Sequence, residues 1–301
     1  MHPTVEVILN ERAGAGCDRS LRDKIEALFR ANGCEAHITS APESRLTELA
    51  AEQARGPATV IVAGGGDGTI SSIATALVGT DKILGVLPLG TLNHFSKDLG
   101  IAQEVESAVH TIVSGQIKRI DVGEVNGRIF LNNSSLGVYP IAVRDRESQQ
   151  KHLGRGKRWA YVVAAFHLLR RYPKLTLLLT VDGQPLRRRS PFLFVGNNEY
   201  ELTGFSLGER RVLDGGRLGL YVTPRTGRFD LYWLLLRAFF GRLERRRDFE
   251  FFRATEATVE MSGPDVLVAT DGEVARMKAP LHFRTRPRAL QVMVPRDDER
   301  K

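Results

Sequence analysis

The residues best suited to chemistry fall at two places far apart along the chain. Gly64-Gly65-Gly66-Asp67-Gly68 follows a wholly apolar run, residues 59–63, and precedes a segment of helical character at 69–78. A phosphate must approach the main chain closely, and side chains at Gly65, Gly66 or Gly68 would obstruct it. Successive backbone N–H groups and the N-terminus of the following helix supply positive potential. Asp67 could hold magnesium, directly or through water, while phosphate oxygens complete its shell. The loop lacks a Gly-Lys-Ser/Thr ending and is not a Walker A loop. On its residues alone it reads either as a nucleotide loop or as a tight strand-to-helix turn. The second place is Asp271-Gly272-Glu273. Asp-Gly signals a hairpin turn, and the glutamate after it is either a solvated surface group or a carboxylate positioned to accept a proton.

The elements that must position these residues differ between the two ends of the chain. Residues 4–10, 35–39, 59–63 and 82–87 read as short apolar strands. Between them Leu21, Ile25, Leu28 and Phe29 recur at helical spacing, and residues 43–55 and 69–78 are helical. This alternation predicts an open, doubly wound parallel sheet with right-handed crossovers over residues 1–121. Ligands collect at the carboxyl ends of such strands. After Asp121 the pattern changes. Asn126-Gly127, Asp182-Gly183 and Asp271-Gly272 mark turns. Strand candidates recur at 122–125, 129–133, 175–181, 191–195, 217–222, 258–261, 266–270 and 281–284, with one helix expected at 157–171. The expected fold class is therefore α/β: a parallel-sheet domain over 1–121, then a β-rich sandwich or barrel over 122–301. The tail at about 285–301 is expected to pack back on the first domain.

Composition narrows the function classes. With 42% hydrophobic and 26% charged residues, the 301-residue chain has the make-up of a globular protein. Its start has no basic cluster followed by an apolar run, which predicts no secretory leader. The longest apolar stretch, residues 231–240, is interrupted by Arg237 and is about half of what a membrane-spanning helix needs. Cys17 and Cys34 have neither CxxC nor histidine spacing, so reduced thiols in cytosol are expected. Residues 1–121 carry 11 basic and 15 acidic side chains, and the rest carry 32 and 20. The net charge of +8 thus belongs to the second part, which suggests an anionic partner. The arginine runs at 187–189 and 245–247 have no interleaved aromatics. An acidic membrane surface, worth about 1 kcal/mol per nearby basic residue, is therefore expected rather than nucleic acid.

Gly65-Gly66-Asp67-Gly68-Thr69 resembles the signature of the diacylglycerol kinase-type lipid kinases, which include bacterial lipid kinases and sphingosine kinases. The second loop, Leu87-Pro88-Leu89-Gly90-Thr91-Leu92-Asn93-His94-Phe95, resembles theirs as well, with His94 where the family usually has Asp. The resemblance extends to Asn10-Glu11-Arg12-Ala13-Gly14, Asp121-Val122-Gly123, Asn197, residues 213–218 and Asp271-Gly272-Glu273. It implies an ATP- and magnesium-dependent kinase acting on a lipid hydroxyl. Asn10, Gly14, Thr39, Gly65, Gly66, Asp67, Gly68, Thr69, Ile70, Ser71 and Thr91 would line the nucleotide site between the domains. Asp67 would organise catalytic magnesium, and Glu273 would accept the proton of the attacking hydroxyl. Where the family commonly has Asp-Asp-Gly for a structural magnesium, this chain has Asp214-Gly215-Gly216, which leaves Asp214 as the one carboxylate for that metal.

Two rival readings stand beside this one. NAD kinases also use a Gly-Gly-Asp-Gly loop, but their Thr-Gly-Ser-Thr-Ala-Tyr stretch is absent. A non-catalytic membrane-binding regulator would not need both Asp67 and Glu273. The expected location is cytoplasmic, peripheral to the inner membrane surface. Residues 161–169 and 231–240 are apolar stretches beside arginines, as an interfacial helix requires. Changing Trp233, Phe239 and Phe240 together to Ser should therefore weaken sedimentation with anionic vesicles. Unchanged sedimentation of the folded variant would remove this stretch from membrane contact.

Overall fold

A computed structural model describes residues 4–12, 19–137, 175–190, 192–201, 203–204, 210–223, 243–244, 249–261 and 265–297. Gly14, Cys17, the helix expected at 157–171 and the apolar stretches at 161–169 and 231–240 lie outside them. The chain divides into two compact units, Met1–Val122 with Pro287–Lys301, and Gly123–Arg286.

The first unit runs β1 (Thr4–Asn10), α1 (Arg19–Ala31), β2 (Glu35–Ala41), a 3-10 turn at Glu43–Arg45, α2 (Leu46–Ala54), β3 (Val60–Gly65), α3 (Asp67–Leu77), β4 (Ile83–Pro88), α4 (His94–Asp98), α5 (Val105–Ser114) and into β5 (Gln116–Val125). Strands β2, β1, β3 and β4 lie side by side in parallel, as the β-α alternation requires. β4 is buried along its whole length, as expected of a strand covered on both faces. Helix α3 presents Ile70, Ile73, Ala74 and Leu77 to the core, at i, i+3, i+4, i+7 spacing. β5 begins six residues before the expected strand, because the polar stretch Gln116–Arg119 disguises its first residues.

The second unit continues with β6 (Arg128–Phe130), β7 (Asn133–Gly137), β8 (Leu175–Val181), β9 (Gln184–Ser190), β10 (Phe192–Asn197), β11 (Thr203–Gly204), β12 (Leu218–Val222), β13 (Leu243–Glu244), β14 (Glu250–Ala254), β15 (Glu256–Glu260), β16 (Asp265–Thr270), β17 (Glu273–Lys278) and β18 (Leu281–Val294). One antiparallel layer has the order β14-β12-β10-β7-β16-β17. In the other, β15 pairs with β8 and with the first residues of β18, and β8 pairs with β9. Leu136, Leu193, Val195, Leu220 and Val268 from one layer pack with Leu177, Leu179, Val259, Leu281 and Phe283 from the other. Each such buried side chain contributes about 1.5–3 kcal/mol. The result is a β-rich sandwich.

The chain crosses into the second unit within β5 and returns within β18. In the first unit, Gln291 and Val292 pair in parallel with Ile83 and Leu84 of β4. Asp121, fully buried, accepts the Arg288 N–H at 2.9 Å. Arg288 has a left-handed φ of 51°, which the Asp121 acceptor helps to hold.

Three two-residue turns join strands in the second unit: Asn126-Gly127, Asp182-Gly183 and Asp271-Gly272. Both residues of each have positive φ, the geometry of a type I′ turn. In all three, the side chain of the first residue also reaches another part of the unit. Asn126 donates to Lys278 O and Pro280 O and accepts from the His282 N–H. Asp182 accepts from the N–H groups of Thr255 and Glu256 and from the Thr255 hydroxyl. Asp271 reaches the segment before β7, described below.

Cys34 is buried at the start of β2. Burial pushes its thiol above the ordinary range, against a smaller lowering by a hydrogen bond with the Glu35 backbone. Thiolate is the reactive form. In a Cys17→Ser protein, Cys34 should react with a disulfide reagent at pH 8 about ten-fold or more slowly in the native than in the urea-unfolded state.

Candidate active site

The glycine loop follows β3 at the carboxyl end of the parallel sheet, beside the end of β1. Asn10, the last residue of β1, is buried and donates from Nδ2 to the Thr69 hydroxyl at 2.9 Å, and its Oδ1 accepts the Arg12 N–H at 2.9 Å. Helix α3 starts at Asp67. Its N-cap is Gly66, at φ −87° and ψ −176°, and no side chain caps this end. The Ile70 N–H already bonds to Gly66 O at 3.0 Å, so the first-turn donors beyond the helix's own ladder are those of Asp67, Gly68 and Thr69.

The glycines serve different purposes. A Cβ on Gly65 would lie 2.5 Å from the Thr69 side chain, and one on Gly90 would lie 2.4 Å from the Gly66 Cα. Both positions are closed by the protein itself. At Gly66 the nearest neighbour to a Cβ is the Gly90 Cα at 3.5 Å, an ordinary contact. Unlike Gly65 and Gly90, Gly66 would carry an added methyl without a clash.

Asp67 connects the two loops. Its Oδ1 accepts the Phe95 N–H at 2.9 Å, and its Oδ2 accepts the His94 N–H at 3.1 Å. The carboxylate therefore caps the five-residue helix α4. Asn93, buried with φ 51°, completes the loop by donating to Pro88 O, Gly90 O and Gln103 Oε1. Of the other expected residues, Thr39 is half-buried on β2 opposite Ile8, Ser71 is half-buried on α3, and Thr91 is exposed beside Gly90. Ile70 is fully buried, so its side chain belongs to the core.

In the second unit, Glu273 opens β17 directly after the Asp271-Gly272 turn. Its Oε2 accepts from Arg128 Nη2 at 2.6 Å. Asp271 accepts the N–H groups of Leu131, Asn132 and Asn133 at 2.7, 2.8 and 3.1 Å. Its carboxylate therefore supports the turn. Arg210, almost wholly buried, donates to Leu131 O, Asn197 O and Asn132 Oδ1, and stacks over Tyr200. The segment from Arg128 to Asn133 is held on several sides.

Among the described residues, no group of three or more His, Cys, Asp or Glu side chains is arranged to hold a metal. Magnesium commonly takes one or two carboxylates and completes its shell with phosphate oxygens and water. Asp67, a lone carboxylate beside backbone donors suited to phosphate, fits that mode. The 214–216 turn does not fit a carboxylate-pair site. The Gly215 N–H is taken by Asn198 Oδ1 at 3.0 Å, and a Cβ on Gly215 would lie 2.8 Å from that oxygen. Asp214 is exposed.

Residues 4–125 match the family described as the diacylglycerol kinase catalytic domain, and residues 139–294 match the YegS C-terminal NAD kinase beta sandwich-like domain. This chain belongs to the diacylglycerol kinase-type lipid kinases. The diacylglycerol kinase of Staphylococcus aureus strain JH9 is 25% identical over 241 residues, covering 79% of this chain and 75% of that one. A crystal structure of a diacylglycerol kinase from Bacillus anthracis str. Sterne shares the fold with a TM-score of 0.71 at 21% identity, over 97% of both chains. A second structure from that organism has a TM-score of 0.75 at 23% identity over the same shares.

Sequence reasoning gave this kinase no role for Asn93 or Arg128. Asn93 lies inside the second loop motif, and a lone asparagine among glycines and a proline is a signal for left-handed backbone. Nothing in the sequence links Arg128 to a partner 145 positions away.

The two contrasting glycines are separable by stability. Gly90→Ala should destabilise the kinase by about 1–3 kcal/mol through overpacking against Gly66. Gly66→Ala should stay within about 0.5 kcal/mol of the parent. Urea unfolding followed by circular dichroism measures both.

Proposed function

We propose that this kinase transfers the γ-phosphate of ATP, with magnesium, to the free hydroxyl of a diacylglycerol-like lipid at an anionic membrane surface. One observation carries the reading. In a chain matching the diacylglycerol kinase catalytic domain, the first turn of α3 carries Asp67, lacks a side-chain cap, and follows the parallel sheet at its carboxyl end. Backbone donors of that turn would bind phosphate oxygens, with Asn10, Thr39, Gly65, Gly66, Gly68, Thr69, Ser71 and Thr91 lining the nucleotide site. Gly14 joins them by family resemblance alone. Asp67 would hold magnesium through water, since its oxygens already accept two N–H groups. When bound, the ion would neutralise charge on the phosphates.

Glu273 is proposed as the proton acceptor. The lipid hydroxyl oxygen bonds to the γ-phosphorus as the bond to the leaving oxygen of ADP breaks, and the hydroxyl proton passes to the Glu273 carboxylate. A lipid alcohol is a poor nucleophile, and a positioned carboxylate contributes about 10²–10⁴-fold to such a transfer. Peripheral attachment at the cytoplasmic face fits the basic second part of the chain. No helix among the described residues is long and apolar enough to cross a membrane.

Incubation with radiolabelled ATP and a panel of diacylglycerol, phosphatidylglycerol, a sphingoid base, undecaprenol and NAD tests the proposal. Label should enter the organic phase on a diacylglycerol-like acceptor, with NAD left unlabelled. Glu273→Gln should bind ATP normally and lose about 10²–10⁴-fold in turnover. Label on NAD alone, or on no acceptor, would refute the lipid assignment.

A further inference from the structure

We infer that Arg128 is the positioning residue for Glu273, setting where its carboxylate points. The inference rests on Glu273 being the base proposed above, and the residues around it argue for a built arrangement. Strand β17 is held at both ends by the β5–β6 hairpin and the segment that follows it. At its start, Arg128 Nη2 meets Glu273 Oε2 at 2.6 Å. Two residues earlier in the chain, the Asp271 carboxylate is gripped by the N–H groups of Leu131, Asn132 and Asn133. At the far end of β17, Asn126 donates to Lys278 O, and Asn126-Gly127 is the turn that delivers Arg128 into β6. The hairpin and the segment after it thus fix the backbone before Glu273, the backbone after it, and the carboxylate itself.

Stability does not explain the pair. Arg128 and Glu273 are 35% and 42% exposed, and ion pairs this open contribute little to folding. A guanidinium with one side chain held on a short contact is instead suited to orientation, because its planar fork loses little freedom per hydrogen bond. Arg128 is a charged group that meets Glu273 directly, and the Asp271 carboxylate in the same turn is directed to the three N–H groups.

The test compares Arg128→Ala, Arg128→Gln and Arg128→Lys with the parent and Glu273→Gln, using the panel lipid that takes up label fastest. Arg128→Ala and Arg128→Gln should lower kcat about 10–100-fold by misplacing the carboxylate, with KM for ATP nearly unchanged. Arg128→Lys should recover only part of kcat. A merely structural arginine would lower the melting temperature without lowering the kcat of the folded variant. Loss of turnover in Glu273→Gln together with a parent-like kcat in both Arg128→Ala and Arg128→Gln overturns the role of Arg128 alone. Retained turnover in Glu273→Gln overturns the base assignment and this inference with it.

Discussion

Two stretches of main chain, at Gly66 and Gly90, run so close that a single methyl group on the second would overlap the first. Much of the first unit follows from that approach. It brings the turn after β4 against the turn after β3, within reach of the Asp67 carboxylate. That carboxylate then satisfies two N–H groups of α4, a helix too short to stabilise itself. Asn93 can take its left-handed conformation because its amide is used three times by the surrounding loop. An acid at position 67 therefore shapes the site before any nucleotide arrives. Its structural and proposed chemical duties draw on the same two oxygens.

The second unit reaches a comparable result by other means. Its sandwich core is apolar and non-directional, and it fixes strand order without aiming any one side chain. Aim comes from polar contacts at the rim of the sheets. The buried guanidinium of Arg210 is affordable because its hydrogen bonds reach Leu131 O, Asn132 Oδ1 and Asn197 O and its face meets an aromatic ring. The Leu131–Asn133 segment so held can in turn present three consecutive N–H groups to Asp271.

The sequence announced the elements whose signal is local. The apolar strands β1, β3 and β4, the apolar face of α1 and the three Asn-Gly or Asp-Gly turns were readable because a short window carries the whole pattern. Strand β7 was missed because Asn133, Ser134 and Ser135 break any apolar run. Strands β9, β14 and β17 were not read either. They lie at ends of the sandwich's strand order, where charged and polar residues such as Arg187–Arg189 and Arg276 interrupt any apolar run. The start of β5 was hidden for a similar reason by Lys118 and Arg119. In the candidate site, glycine spacing pointed to the loop but did not reveal which glycines face the protein and which face open space. For Gly66 and Gly90 that distinction depends on a contact between residues more than twenty positions apart. The partnership of Arg128 with Glu273 was illegible for the same reason.

The three type I′ turns raise a question of residue choice. Left-handed backbone admits asparagine and aspartate almost equally, so the turn itself cannot decide between them. The distant partners can. Position 126 must give hydrogens to two carbonyls while taking one from an amide, which suits a carboxamide. Positions 182 and 271 each accept from three donors, which suits a carboxylate. A swap between these near-isosteres would therefore leave each bend intact and break the tie it anchors, so that in this protein the identity of a loop residue is dictated by partners far away in the sequence.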